Sequence, residues 1–204
     1  MKIKTIKETI TNTIIIDKSR FITYLYPIDS KKDIDRLLEE ARKQYFDATH
    51  ICYGTILKEN GVLFYKSSDD GEPSSTAGAP ILNVLKKNEL ENVLCIVIRY
   101  FGGIKLGAGG LVRAYGGSCS EILKMASIVT KVEKEIYEIK ANYNQERLLS
   151  NALKKMNAII HSKEFEMEVI FKVTFKNEND LPSLIKLFAN QLLVTQIDTT
   201  FIEQ

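Results

Sequence analysis

The chain is short of several things, and each shortage removes a class of answer. It has only three cysteines, Cys52, Cys95 and Cys119, an odd number widely spaced in apolar surroundings. That excludes a disulfide frame or a cysteine zinc site and fits the reduced core thiols of a cytosolic protein. No apolar run approaches the roughly 20 residues that span a bilayer. The opening MKIKTIKETITNT has no apolar core followed by small residues, so no signal peptide and no membrane partner are expected, and the location read from this is cytoplasmic. Charge of one sign is also lacking. Lys and Arg number 28 against 26 Asp and Glu, a net +2 that argues against bulk electrostatic capture of nucleic acid. The balance is slightly polarised, at +3 over residues 1–130 and −1 over 131–204. Any basic site is therefore local and lies in the first part.

Glycine is missing from both ends. All eleven glycines lie between Gly54 and Gly117, and seven fall inside residues 99–117, RYFGGIKLGAGGLVRAYGG. The run before them, Val93–Ile98, is continuously apolar and reads as a strand buried on both faces. Leu111, Tyr115, Ile122 and Ala126 follow at helical spacing. A central strand thus feeds a glycine-rich turn that opens a helix, with Arg99, Lys105 and Arg113 around it. Glycine lets backbone approach a ligand closely, and a helix start presents free N–H groups. The segment is not a P-loop, because no Gly-Lys-Ser/Thr closes it. It is not a dinucleotide fingerprint, because Val112 stands where a third Gly or Ala belongs. Gly110, Ala114, Gly117 and Ser118 share one helical face and suit close packing, whereas Gly102, Gly103, Gly107 and Gly109 precede or open the helix and suit binding. Arg99 has a plainer alternative role, an ion pair with Asp70 or Glu72.

Periodicity predicts two domains, 1–130 and 131–204. In the first, strands are expected at Ile14–Ile16 and Phe21–Ile28. An amphipathic helix follows through Ile34, Leu37, Leu38, Ala41 and Tyr45, with Ser30 as N-cap and Asp33 completing the cap. Ile51–Lys58 and Val62–Lys66 flank Asn60-Gly61, a hairpin signal. The loop 67–80 leads into a short helix through Ile81, Leu82 and Leu85. This is an α+β domain. In the second, the order is β-α-β-β-α-β, that of a ferredoxin-like fold, with Phe165 to Phe175 alternating as one strand. The face of the sheet away from the helices then shows Glu138, Lys140, Glu166, Glu168, Lys172, Thr174, Gln196 and Asp198, with the aromatics inward, so RNA reading by stacked bases is not expected there.

The 67–80 loop supplies Asp69, Asp70, Glu72, Ser74, Ser75 and Thr76. Two carboxylates can serve acid–base work or a divalent ion, but Asx turns and helix capping by Ser75 or Thr76 account for the same residues. His50 and His161 are the only histidines. His50 precedes a strand and can reach this loop. A Ser74 or Ser75, His50, Asp70 triad can be written, but no Gly-x-Ser-x-Gly elbow supports it.

Three blocks carry a resemblance: Asp70-Gly71-Glu72-Pro73, Thr76 to Leu82, and Arg99 to Leu111 with Arg113-Ala114-Tyr115. With Ala48-Thr49-His50 and Cys52-Tyr53 they resemble the IMPACT/YigZ family over about residues 15–127, and the second domain resembles the small C-terminal domain of its bacterial YigZ-type members. The resemblance implies a first domain with the βαβ fold of domain IV of elongation factor G and a second like that factor's domain V. Eukaryotic members regulate translation by competing for the activator of a stress-responsive initiation-factor kinase. The resulting expectation is a non-enzymatic, translation-associated regulator that binds ribosomal RNA or a ribosome-bound factor. Arg99, Lys105 and Arg113 would contact phosphate, and Gly102, Gly103, Gly107 and Gly109 would permit approach. His50, Asp70, Glu72, Ser74, Ser75 and Thr76 form a secondary candidate cluster. Two alternatives stand beside it: an enzyme or binder of a phosphorylated small molecule, and a protein-docking module using the 67–80 loop and Tyr100-Phe101. No catalytic residue, metal or cofactor is expected. Enzymatic activity is left open with the balance against it, and nothing sets the oligomeric state.

Overall fold

The computed structural model describes residues 1–59 and 61–203. The chain divides into two compact units, Ile3–Thr130 and a second made of Met1–Lys2 with the chain from Lys131 on.

The first unit is organised around β6 (Val93–Tyr100). Its residues are buried through Arg99, as expected of a central strand. It lies between β3 (Ser19–Pro27) and β4 (His50–Glu59), with β2 (Ile10–Ile16) and β5 (Val62–Ser68) at the edges, giving the order β2-β3-β6-β4-β5. All four pairings are antiparallel. Because β3 and β4 both oppose β6, they run parallel to each other. The helix α1 (Lys31–Gln44) joins them as the crossover of a split β-α-β unit.

Side-chain alternation on β6 explains the layers. Leu94, Ile96 and Ile98 face Ile34, Leu37, Leu38 and Ala41 of α1. Val93, Cys95 and Val97 face α2 (Gly78–Lys87) and α3 (Gly107–Met125), through Ile81, Leu85, Leu111, Tyr115 and Ile122. Each fully buried aliphatic side chain of this kind contributes about 1.5–3 kcal/mol. By the same alternation Arg99 projects on the α3 side. The three thiols are free and buried; burial pushes that of Cys52 up to about 12 and that of Cys95 well above its ordinary value.

The α1 start forms as its sequence predicts. Ser30 Oγ accepts from the Asp33 N–H at 3.3 Å, and Asp33 Oδ2 accepts the Ser30 N–H at 3.0 Å. The β4–β5 hairpin is present, but Asn60 of its turn signal lies outside the described residues. The sequence reading missed β1 (Lys2–Ile6), because its alternation is interrupted by a buried polar residue. Thr5 is fully buried and donates its hydroxyl to the Asn92 carbonyl at 3.1 Å. It also truncated β2, which begins at Ile10 rather than Ile14.

In the second unit the elements run β7 (Ile128–Ala141, from Lys131 in this unit), α4 (Glu146–Lys155), β8 (Ile159–Phe165), β9 (Val169–Thr174), α5 (Asp180–Leu187) and β10 (Leu193–Glu203). They pair in the order β10-β7-β9-β8. Ile139, Val169, Phe171 and Val173 face Leu149, Leu153 and Leu184. Three expectations need correction. The alternation from Phe165 is broken by a bend at 166–168 that separates β8 from β9. Phe165 is consequently 60% exposed rather than inward, stacked on Tyr143. Thr174, placed on the open face by its parity, is buried and bonded to His161 Nε2 at 2.9 Å. In β10 the even-numbered side takes the core: Val194 pairs with Ile139 and Gln196 with Tyr137, both core-facing, so Gln196 does not share the open face and Ile197 is 43% exposed.

Candidate functional site

The loop between β5 and α2 is built on Asp69. Its carboxylate accepts the N–H groups of Ser75 (2.8 Å), Ala77 (3.0 Å) and Gly78 (2.8 Å), so it caps α2 from eight residues upstream. Burial acts to raise the Asp69 carboxyl, but these donors outweigh it and hold it below the usual carboxylate value of 3.8. Capping by Ser75 or Thr76 themselves is not what occurs. The α2 start has no side-chain bond from its own cap residue Ala77, and Thr76 donates its hydroxyl to the Pro73 carbonyl at 2.6 Å. Ser74 is exposed. The Asp70 carboxylate accepts the Ile51 N–H at 2.6 Å, and His50 Nδ1 lies 2.7 Å from the Asp70 carbonyl. Neither serine bonds His50, so the triad arrangement is absent.

The same loop delivers Glu72 to the α3 side of β6. Arg99 Nη1 donates to Glu72 Oε1 at 2.6 Å, and the Tyr115 hydroxyl donates to the same oxygen at 2.7 Å. Arg99 Nη2 lies 3.3 Å from Ser19 Oγ, while its Nε–H has no acceptor among the described residues. Burial raises the Tyr115 hydroxyl far above its ordinary value of 10.0, with Cys52 and Glu72 adding to the shift, so it stays a donor. Glu72 Oε2 is 3.8 Å from His50 Nε2. Arg99 is 5% exposed. As a freely presented phosphate contact it is therefore corrected: the plainer role, the ion pair with Glu72, is the one it plays.

Lys105 and Arg113 are different. Both are exposed and have no ion-pair partner among the described residues. A Cβ built on Gly109 would stand 3.6 Å from Arg113 Nη1, which places that guanidinium beside the first turn of α3. The α3 start itself has no side-chain cap. Leu106 is helical in φ and ψ, and Gly107 follows with φ +67. A right-handed residue followed by a left-handed one turns successive N–H groups toward one side and makes an anion-binding concavity.

The glycines divide. A Cβ on Gly102 would lie 2.0 Å from the Lys18 carbonyl carbon, so that glycine serves the contact with the β2–β3 turn and not a ligand. Its N–H donates to Ser19 Oγ at 3.1 Å. Gly103 and Gly107 have positive φ and open space where a side chain would be. Later in α3, Gly116 faces Pro80 and Val84 of α2, whereas Gly117 meets nothing within 4 Å, so it does not close-pack as its position suggested.

Between these parts lies a cavity of about 230 Å³, lined by Glu72, Pro73, Arg99, Phe101, Lys105, Leu106, Gly107, Ala108 and Leu111. The structure thus brings Glu72, Arg99, Lys105 and Gly107 together, sets Arg113 and Gly109 on the adjoining turn, and leaves Ser74 and Ser75 away from it. Sequence reasoning missed Tyr115 as the second donor to Glu72. Its place one turn after Leu111 on the core face of α3 was the available signal. It also missed Asp69 as a cap, because a cap so far upstream has no fixed spacing to reveal it. Among the described residues no group of His, Cys, Asp and Glu is arranged to hold a metal ion, and no helix is long and apolar enough to cross a membrane.

The family model described as the Impact N-terminal domain matches residues 17–123. The chain is 39% identical over 176 residues to the IMPACT family member YvyE of Bacillus subtilis, covering 86% of this chain and 80% of that one. It is 33% identical to the IMPACT family member YigZ of Escherichia coli, covering 78% of each. A solved crystal structure described as that of a hypothetical protein superposes with a TM-score of 0.73 at 28% identity, covering 97% of this chain and 98% of the other.

Proposed function

The chain belongs to the IMPACT family, and on that premise we propose that it is a translation-associated regulator acting in the cytoplasm by holding phosphate groups of ribosomal RNA. A ribosome-bound factor is the other partner consistent with the family role. The contacts are Lys105, Arg113 and the first N–H groups of α3. Arg99, fixed by Glu72 and Tyr115, forms the wall of the site and not its free cation. The single observation that carries the reading is the uncapped start of α3, opening on a cavity beside two unpaired cations. An anion there gains about 0.3–1 kcal/mol from the helix dipole, and up to about 2 when partly buried.

The two units are read as domains 1–130 and 131–204. The split β-α-β of the first supports its likeness to domain IV of elongation factor G. The strand order β10-β7-β9-β8 supports a ferredoxin-like second domain, the counterpart of domain V.

RNA binding by the full chain, measured by fluorescence anisotropy between 50 and 200 mM salt, tests the reading. Each single-strand phosphate contact contributes a log–log slope of about −0.7, so Lys105→Ala with Arg113→Ala lowers the magnitude of the slope by about 1.4. An unchanged slope in the double variant overturns the assignment.

A further inference from the structure

The α3 cavity holds more than an anion requires. Its lining is partly apolar, from Phe101, Leu106, Leu111 and Pro73, and partly polar, from Glu72, Arg99, Lys105 and the backbone of Gly107 and Ala108. Phe101 is 46% exposed, with the Arg99 guanidinium carbon 5.5 Å from its ring centroid. One buried polar atom is unmatched among the described residues: Arg99, nine-tenths buried, has an Nε–H without an acceptor. Glu72 Oε2 has His50 Nε2 at 3.8 Å, beyond hydrogen-bond distance.

The Glu72 carboxylate discriminates. A phosphate is an acceptor and repels it, so a ligand that brought only phosphate would add no donor to Glu72. A fitting ligand carries an anionic group for the start of α3 and, some distance away, a flat group bearing an N–H donor for Glu72. A nucleotide has both, and its base has a face to stack on Phe101. The volume of about 230 Å³ lies below the range of about 300–1,000 Å³ typical of drug-sized ligands, so it has no room for a dinucleotide.

We propose that this cavity takes a single nucleotide unit, its phosphate at the Leu106-Gly107 turn and Lys105, its base against Phe101 with an N–H donated to Glu72. The proposal deepens the phosphate-binding reading and rests on it. The unit is either a free mononucleotide or the phosphorylated end of an RNA.

The full chain is titrated with AMP, GMP, CMP and UMP, with inorganic phosphate, and with one short RNA carrying either a 5′-phosphate or a 5′-hydroxyl. At least one mononucleotide, or the 5′-phosphorylated RNA over its hydroxyl form, is expected to bind about tenfold more tightly than its control, a margin within what one stacked base contributes. Phe101→Ala removes that margin while leaving phosphate binding unchanged; because Phe101 is half-exposed, this variant keeps the fold. If no mononucleotide surpasses phosphate and the two RNA forms bind alike, the nucleotide proposal is overturned. The salt slope lost with Lys105 and Arg113 is read separately, so the phosphate reading stands or falls on its own.

Discussion

Arg99 and Glu72 meet in a 2.6 Å ion pair whose side chains are 6% and 4% exposed. One comes from the end of the central strand and the other from the loop between β5 and α2. The pair ties that loop to the sheet, and the Tyr115 hydroxyl adds α3 to the same carboxylate oxygen.

Removing either partner leaves the other charge buried and alone. Arg99→Met and Glu72→Gln should each destabilise the first unit by about 3–5 kcal/mol, and the double variant should cost clearly less than the sum. Thermal and urea unfolding followed by circular dichroism measure this. Additive costs would show that the two side chains act independently.

The glycines give a graded series. Gly102→Ala forces a Cβ to within 2.0 Å of the Lys18 carbonyl carbon, so the β2–β3 turn must move and the cost should exceed about 2 kcal/mol. Gly109→Ala meets only the end of Arg113 and gains helix propensity, so it should stabilise by about 0.5–1 kcal/mol. Equal midpoints for the two variants would contradict the contact described for Gly102.

Asp69 predicts a pH dependence. Its carboxyl titrates below its ordinary value of 3.8, so the stabilisation it gives is present in full above that value and is lost as the pH falls through the folded-state value. Asp69→Ala should cost about 1–2 kcal/mol at neutral pH by releasing three N–H groups. Its stability should fall less steeply than that of the unsubstituted chain on acidification below about pH 4. Parallel curves would assign the acid sensitivity elsewhere.

Much of this was legible because it is local. The continuous apolar run at 93–98 announced a central strand, the Ser30–Asp33 spacing announced a capping box, and glycine density pointed to the start of α3. What escaped depends on contacts distant in sequence. Thr5 looks like an interruption until the Asn92 carbonyl is placed beside it. Thr174 has the parity of an exposed residue until His161 covers it. Arg99 carried two readings that composition could not separate, and burial chose between them. The register shift between Gln196 and Asp198 leaves no mark in the residue types.

The placement of sulfur has a practical corollary. Cys52, Cys95 and Cys119 all belong to the half of the molecule that carries the cavity, and all three are shielded. A thiol reagent therefore samples only transient openings of that half and is silent about the remainder. Its reaction rate is a clock for the breathing of one unit, requiring no label to be engineered.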